Sequence, residues 1–476
     1  MIAIQEITDL TQQVLKKITP GKEDRSKVEA IAHELERKVA LACREEGVSA
    51  IVRVEGSVAK DTWLSENPDI DIFLQLPTSI PRKMLGDVGL KIAKKAAVGY
   101  EQIERFAEHP YLQIIVDGYR ADIVPCYDAK PGEWQSATDR TPYHTDYIKE
   151  KLSKELLGDV RLLKKFMQGT GVYGAEIKVG GFSGYLCELL IMKYRSFAGV
   201  VEAFAEYNKR VIIDIENYYV DRQNEISLLF REPLVIVDPV DKGRNVASAV
   251  QPEKLYSFIG AAKAFIKKPH ETFFYPPKTE PLSVAKLKRH IESRGSATVF
   301  IVVDQIAAVP DVLWGQLFRT KRSLRKMLEL NEYKILKDAV WSNEKTISIF
   351  VFELEGQFLP EIKKHLGPPL ERKDEAENFL AKYTENKVVI SGPFIEDGRW
   401  IVMVPRKTTD AVVLLKEKLA DGGKNAGVAE LIAESIQKNL SVLLNNEIST
   451  MYAENGDFAG FLTDFLSGKP FWLKIQ

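Results

Sequence analysis

Three cysteines in 476 residues are too few and too scattered for a disulfide framework. Cys43, Cys126 and Cys187 also lack the close pairing of a zinc knuckle, so they are expected as buried packing residues. Neither sign of charge is in excess: 66 Lys and Arg against 67 Asp and Glu leave a net charge of −1, which removes any bulk attraction to a polyanion. A nucleic-acid surface would have to come from local segregation of charge. No stretch approaches the roughly 18 uninterrupted apolar residues that cross a bilayer, and the opening segment MIAIQEITDL has no basic run ahead of an apolar core. No membrane partner is expected, and a cytoplasmic location is the simplest reading. Internal repeats and low-complexity tracts are missing too, and the length suits about three domains of about 150 residues.

What is present sorts into three sections. In residues 24–46, Val28, Ile31, Leu35, Val39 and Ala42 recur at helical spacing, with Gly47 as a stop. The strand AIVRVE, the turn Gly56-Ser57, a helical stub through Leu64 and the strand DIDIFLQL follow. A helix over 82–98 and a hairpin turning at Asp117-Gly118 complete a mixed α/β head, residues 1–150. Residues 151–268 read as a mostly helical middle domain. Beyond the proline-bearing segment KKPHETFFYPPKTEP, expected as a linker, the strands TVFIVVD, TISIFVFELEG and RWIVMVP alternate with helices near 311–330, 373–384 and 408–420. The fold class expected is therefore α+β multidomain, with residues 269–476 as an α+β body and tail.

The anomaly lies in the head. Strand interiors disfavour Asp, yet Asp69 and Asp71 interrupt a run containing Ile70, Ile72, Phe73 and Leu74. Side chains at i and i+2 of a strand share a face, about 6.5–7 Å apart, so the two carboxylates can enter one pocket. Asp122 interrupts a second apolar strand, RADIVPC, and is expected beside them in the same sheet. Taken singly, each has an ordinary reading: Asp69 as a turn residue after Pro68, Asp71 and Asp122 as charges blunting a sheet edge. Three acids facing one spot repel, and hard divalent cations relieve that repulsion; paired ions suit phosphoryl transfer. Gly56 lets backbone approach a phosphate closely, and Ser57 is positioned to cap the following helix, whose free N–H groups would face an anion.

A glycine-serine turn, a helix, an Asp-x-Asp strand and a third Asp on a later strand resemble the DNA polymerase β type nucleotidyltransferases. Further along, ADIVPCY, DRTPYH, VRLLKKF, GVYGAEIKVGGFSGYLCELLI and PLVIVDPVDKGRNVA together resemble the archaeal, class I CCA-adding enzymes. The resemblance is dense over residues 50–250 and thinner behind. It implies a polymerase β-like head and template-independent transfer of C, C and A from CTP and ATP to the 3′ end of tRNA. It also implies two Mg²⁺ ions held by Asp69, Asp71 and Asp122, with Asp122 steering the attacking hydroxyl. Phosphate and nucleotide contacts are implied for Ser57, Thr141, His144, Lys164 and Tyr173, and reading of the incoming base for Arg244. Lys60 stands where an arginine is common, keeping the charge without the bidentate fork; Asp69 stands where a glutamate also occurs.

Outside the resemblance, His144, Lys164 and Tyr173 read as a surface histidine, a solvated lysine and a core aromatic with a wet hydroxyl. Gly180, Gly181 and Gly184 around Ser183 match no phosphate-loop spacing and are expected as a capped helix start and packing joint. In LWGQLFRTKRSLRKML, Leu313, Leu317, Leu324 and Leu328 form one helical stripe, while Arg319, Arg322, Arg325 and Lys326 cluster on another face. That face is the candidate RNA grip, and KLKRHIESR a second. The rivals are a poly(A)-adding polymerase, a nucleotide-sugar glycosyltransferase using Asp-x-Asp, and a non-catalytic RNA-binding scaffold. A homodimer is also admitted.

Overall fold

Strict alternation in β2 (Asp69–Leu76) sends Ile70, Ile72, Leu74 and Leu76 to one face, all fully buried, and leaves Asp69 and Asp71 on the other. The computed structural model that shows this describes residues 2–473 other than 67, 107, 208 and 209. The expected rear section runs to residue 476, whose last three positions lie outside the described residues. The chain divides into two units, Met1–Lys278 with Lys469–Gln476, and Thr279–Gly468.

In the first unit α1 (Ile2–Ile18) and α2 (Lys22–Glu45) precede β1 (Ile51–Glu55) and the single turn α3 (Gly56–Ala59). After β2 come α4 (Arg82–Ala96), β3 (Glu101–Phe106), β4 (Pro110–Val116) and β5 (Tyr119–Tyr127). These strands form one sheet in the order β1-β2-β5-β4-β3. Asp117 and Gly118, both at positive φ, turn β4 into β5, as the sequence predicts. Only β2 and β5 pair in parallel. The apolar face of the sheet packs with Val28, Leu35 and Val39 of α2 and Leu85 and Ile92 of α4.

The following segment is largely helical: α5 (Thr141–Lys151), α6 (Leu157–Gly169), α7 (Gly184–Tyr194) and α8 (Phe197–Ala205). A small sheet of β6 (Val211–Ile213), β7 (Leu234–Asp238) and β8 (Asp241–Asn245) follows, with α9 (Gln223–Leu229) between its first two strands and α10 (Pro252–Lys267) after it. Its core is aromatic: Phe166 on α6 stacks on Phe273 and meets Phe197, Phe258, Phe265 and Phe274 edge-on, with centroids 5.2–6.1 Å apart. Two findings differ from expectation. The segment read as a linker carries Phe273 and Phe274, each 1 % exposed, into this core. And α1 packs against α6, with Val14 and Ile18 in the same core, so the first helix joins the helical layer rather than the sheet that follows it.

The second unit is layered around β9 (Ala297–Asp304), a continuous apolar run buried on both faces. Its sheet runs β10 (Ile335–Ser342), β11 (Ile347–Leu354), β9, β15 (Ser441–Leu444). Val299, Ile301 and Val303 pack with α12 (Pro310–Leu330), α14 (Ala411–Leu419) and α15 (Glu430–Lys438); Phe300 and Val302 pack with α11 (Val284–Glu292), α16 (Ser449–Glu454) and α17 (Gly456–Ser467). A separate sheet of β12 (Ile362–Pro369), β14 (Arg399–Pro405) and β13 (Ser391–Glu396) carries α13 (Lys373–Tyr383).

Candidate active site

The parallel register of β2 and β5 puts Asp71 directly opposite Asp122 and Asp69 opposite Arg120. All three carboxylates therefore lie on the face of the sheet that α2 and α4 leave open. Asp69 Oδ2 accepts from Arg120 Nη2 at 2.5 Å, and Asp122 Oδ1 accepts from Gln113 Nε2, across on β4, at 2.9 Å. Burial, then the charges of Asp122 and Asp69, push Asp71 up to about 8. Burial likewise raises Asp69 against the pull of Arg120, and Asp122 against the hydrogen bond from Gln113. Gly56 closes this corner at φ +69°: a Cβ there would stand 1.9 Å from Asp71 Oδ2. Any side chain there would be strained by that φ and would have to displace the Asp71 carboxylate.

A fourth acid escaped the sequence reading. Glu55 pairs across β1 with Asp71, is fully buried, and is raised to about 7 by burial against the pull of Thr145 and Arg53. Arg53 Nε lies 2.9 Å from its Oε1.

The turn after Gly56 departs from expectation. The helix there is four residues long, ends before Leu64, and contains Ser57 rather than being capped by it. Asp61, at φ +53°, reverses the chain, and the Thr62 N–H bonds back to the Ser57 carbonyl at 2.9 Å. So short a helix supplies no anion site of its own, and Ser57 is left as a hydroxyl beside the acids' loop.

Two clusters gather the remaining candidates. Lys60 and Lys164 meet at Glu188 of α7: Lys60 Nζ donates to Oε2 at 2.6 Å and Lys164 Nζ to Oε1 at 3.3 Å. Lys164 is not the solvated lysine its local sequence suggests. Tyr173 belongs here too, since a Cβ on Gly184 would stand 3.1 Å from its hydroxyl and 3.5 Å from Lys164 Nζ. The second cluster centres on Asp238, fully buried at the end of β7. It accepts from His144 Nε2 at 2.9 Å, Arg244 Nη1 at 2.7 Å and the Tyr185 hydroxyl at 3.2 Å. His144 stacks on Tyr185 with centroids 4.0 Å apart, and burial lowers its pKa against the attraction of Asp238. Thr141 opens α5 one turn before His144. Ser183 caps α7 by accepting from the Leu186 N–H at 3.1 Å, as expected for the glycine-rich joint.

An all-oxygen donor set of three carboxylates on one face suits a hard divalent cation. The cost of ionising Asp71, set first by burial and then by the charges of Asp122 and Asp69, is what such an ion would relieve. Among the described residues, no three His, Cys, Asp or Glu side chains are drawn together as a ready metal group. Asp69 and Asp122 are turned to Arg120 and Gln113 instead.

The chain matches the family models described as nucleotidyltransferase domain over residues 36–144, tRNA nucleotidyltransferase, second domain, over 158–275, and CCA-adding enzyme, C-terminal domain, over 294–445. It is 36 % identical over 440 residues to the CCA-adding enzyme of Methanosarcina barkeri, covering 92 % of this chain and 94 % of that protein. The chain belongs to the CCA-adding enzyme family. The Methanosarcina mazei member is 37 % identical over 95 % of this chain and 97 % of its own, and the Halobacterium salinarum member 35 % over 89 % and 91 %.

Within this CCA-adding framework, the acids that sequence reasoning passed over are Glu55, Glu188 and Asp238. The signal that exposed Asp69 was available for two of them: Glu188 is the lone acid in YLCELLIMKY, and Asp238 ends the apolar run LVIVD. In the C-terminal unit, Leu313, Leu317, Leu324 and Leu328 of α12 are buried as the stripe predicts. Arg319, Arg322 and Lys326 are exposed, whereas Arg325 is paired to Asp338 and Glu329. That leaves three of the four candidate RNA contacts presented to solvent.

Proposed function

We propose that this CCA-adding family member extends tRNA at its 3′ end with C, C and A from CTP and ATP, releasing pyrophosphate at each addition. The observation that carries the chemistry is the facing of Asp71 and Asp122 across a parallel pair, with Asp69 one step along. These three would hold Mg²⁺, which when bound supplies Lewis-acid stabilisation of the attacking and leaving oxygens. Asp122 is assigned to orient the attacking 3′-hydroxyl. Gly56 keeps the backbone clear of Asp71, and Ser57, Lys60, Lys164 and Tyr173 receive the triphosphate. Thr141 and His144 contact phosphate or ribose, and Arg244, steadied by Asp238, reads the base edge. On α12, Arg319, Arg322 and Lys326 take RNA phosphates, with Arg325 contributing less because Asp338 already holds it. Three sections, 1–150, 151–268 and 269–476, divide this work as head, nucleotide-binding middle and tRNA-binding body. No helix among the described residues is long and apolar enough to cross a membrane; a cytoplasmic site of action and a homodimer belong to the proposal.

The test is incubation with Mg²⁺ and tRNA lacking its terminal trinucleotide, with each labelled triphosphate alone and in combination. Addition of three residues followed by a stop is expected. A long homopolymer would indicate a poly(A) polymerase instead, and no incorporation would sink the enzymatic reading. Asp71→Ala is expected to abolish incorporation while leaving tRNA binding intact.

A further inference from the structure

Glu188 has no solvent contact, yet it carries two ammonium partners. Its Oε2 accepts from Lys60 at 2.6 Å, and its Oε1 accepts from Lys164 at 3.3 Å and from the Thr62 hydroxyl at 2.6 Å. Lys164 Nζ also donates to the Thr62 hydroxyl at 2.9 Å and the Thr62 carbonyl at 3.1 Å. The two lysine side chains are 7 % and 3 % exposed. A buried ammonium without a counter-ion is costly and tends to shed its proton. One carboxylate shared by two ammoniums leaves a net positive charge within this dry cluster, which Asp71 and Glu55 feel from beyond it through Lys60. That charge lies beside the Tyr173 hydroxyl and, through the Thr62 to Ser57 backbone bond, beside the Gly56-Ser57 turn. An anionic ligand completes such a cluster; a neutral one does not.

We propose that Glu188 is a positioning residue for the nucleoside triphosphate: its carboxylate holds Lys60, from the head, and Lys164, from α6, side by side so that both act on the phosphate chain. This rests on the reading of those lysines as phosphate contacts. The charge balance agrees with the geometry. Burial favours the neutral acid, but Lys60 and Lys164 outweigh it and hold Glu188 below the usual carboxylate range. Burial lowers Lys164, and Glu188 opposes that lowering. Losing the carboxylate leaves two buried like charges facing each other, so they separate or one deprotonates.

The experiment measures equilibrium binding of CTP and of CMP to the full-length protein without tRNA. In Glu188→Gln, CTP affinity is expected to fall roughly tenfold or more, with CMP affinity unchanged. In turnover the same variant should raise KM for CTP and ATP far more than it lowers kcat. Wild-type CTP affinity, or equal loss of CTP and CMP, would overturn the inference and leave Glu188 as a packing ion. Lys164→Met separates the two levels: if it binds CTP normally, the phosphate reading itself fails, and if it loses CTP while Glu188→Gln does not, only the role of Glu188 fails. Should Glu188→Gln not fold, Glu188→Asp carries the test. A smaller CTP-selective loss is then expected, and wild-type affinity overturns the inference.

Discussion

Replacing Asp71 by Asn should stabilise the metal-free protein while destroying its chemistry. In the unfolded chain Asp71 ionises near 3.8, and folding raises this to about 8 through burial and the facing charges of Asp122 and Asp69. The folded state thus keeps a proton that the unfolded chain releases, and between those limits stability falls as pH rises. At up to about 1.4 kcal/mol per pH unit, the cost at pH 7 is of the order of 4 kcal/mol, an upper bound because Asp69 and Asp122 adjust with it. Asn keeps the shape and never ionises. In EDTA at pH 7 the variant should melt several degrees above the parent, at roughly 2 °C per kcal/mol for a unit of this size. The assay is thermal unfolding from pH 5 to 9, with and without Mg²⁺. The parent should lose melting temperature from pH 5 up to about pH 8 and regain it with the ion; the variant should show a shallower loss, the remainder coming from Glu55, Asp69 and Asp122, whose pKa values folding also raises. A variant melting no higher than the parent, with the same pH slope, would refute the argument that burial of Asp71, aided by the charges of Asp122 and Asp69, strains the metal-free fold.

Gly56→Ala adds a Cβ that would overlap Asp71 Oδ2 at 1.9 Å, at a φ of +69° that Ala disfavours by about 1–2 kcal/mol. Incorporation should fall at least about a hundredfold in single-turnover kinetics, and near-normal rates would show that Asp71 can move aside. Arg244→Ala should relax the choice among the four nucleoside triphosphates, read by competition with unlabelled nucleotides; unchanged selectivity would remove it from base reading. Arg319→Ala and Arg322→Ala should each weaken tRNA binding and reduce the salt slope by about one. Arg325→Ala, whose guanidinium is already paired, should change it less, and equal effects from all three would argue against that distinction.

The head was legible because its anomaly is local. An Asp in an apolar strand is visible in a window of eight residues, and the alternation that buries Ile70, Ile72 and Leu74 also says which face the acids share. Pairing of β2 with β5 followed from the same logic applied twice. By contrast, β3 reads EQIERF and lies largely exposed at the sheet edge, so no apolar period marks it. Segment 267–281 looked like a linker because its prolines are visible, whereas burial of Phe273 depends on a partner, Phe166, about a hundred residues earlier. Glu188 and Asp238 were missed for a related reason. Each stands out locally as an acid in or at the end of an apolar run, but its role depends on partners far away in the chain: Lys60 and Glu188 lie 128 positions apart, His144 and Asp238 94.

The parallel step between β2 and β5 also bears on how the chain reaches its native state. Asp69 and Asp71 precede Asp122 by roughly fifty residues, so pairing β5 with β2 closes a long loop and is a non-local step. The move that pairs β5 with β2 therefore sets Asp122 beside Asp71, a repulsive contact offset in part by Arg120, which arrives beside Asp69. Divalent cations in a refolding buffer should speed that move, making the ion a partner in assembly before it is one in turnover.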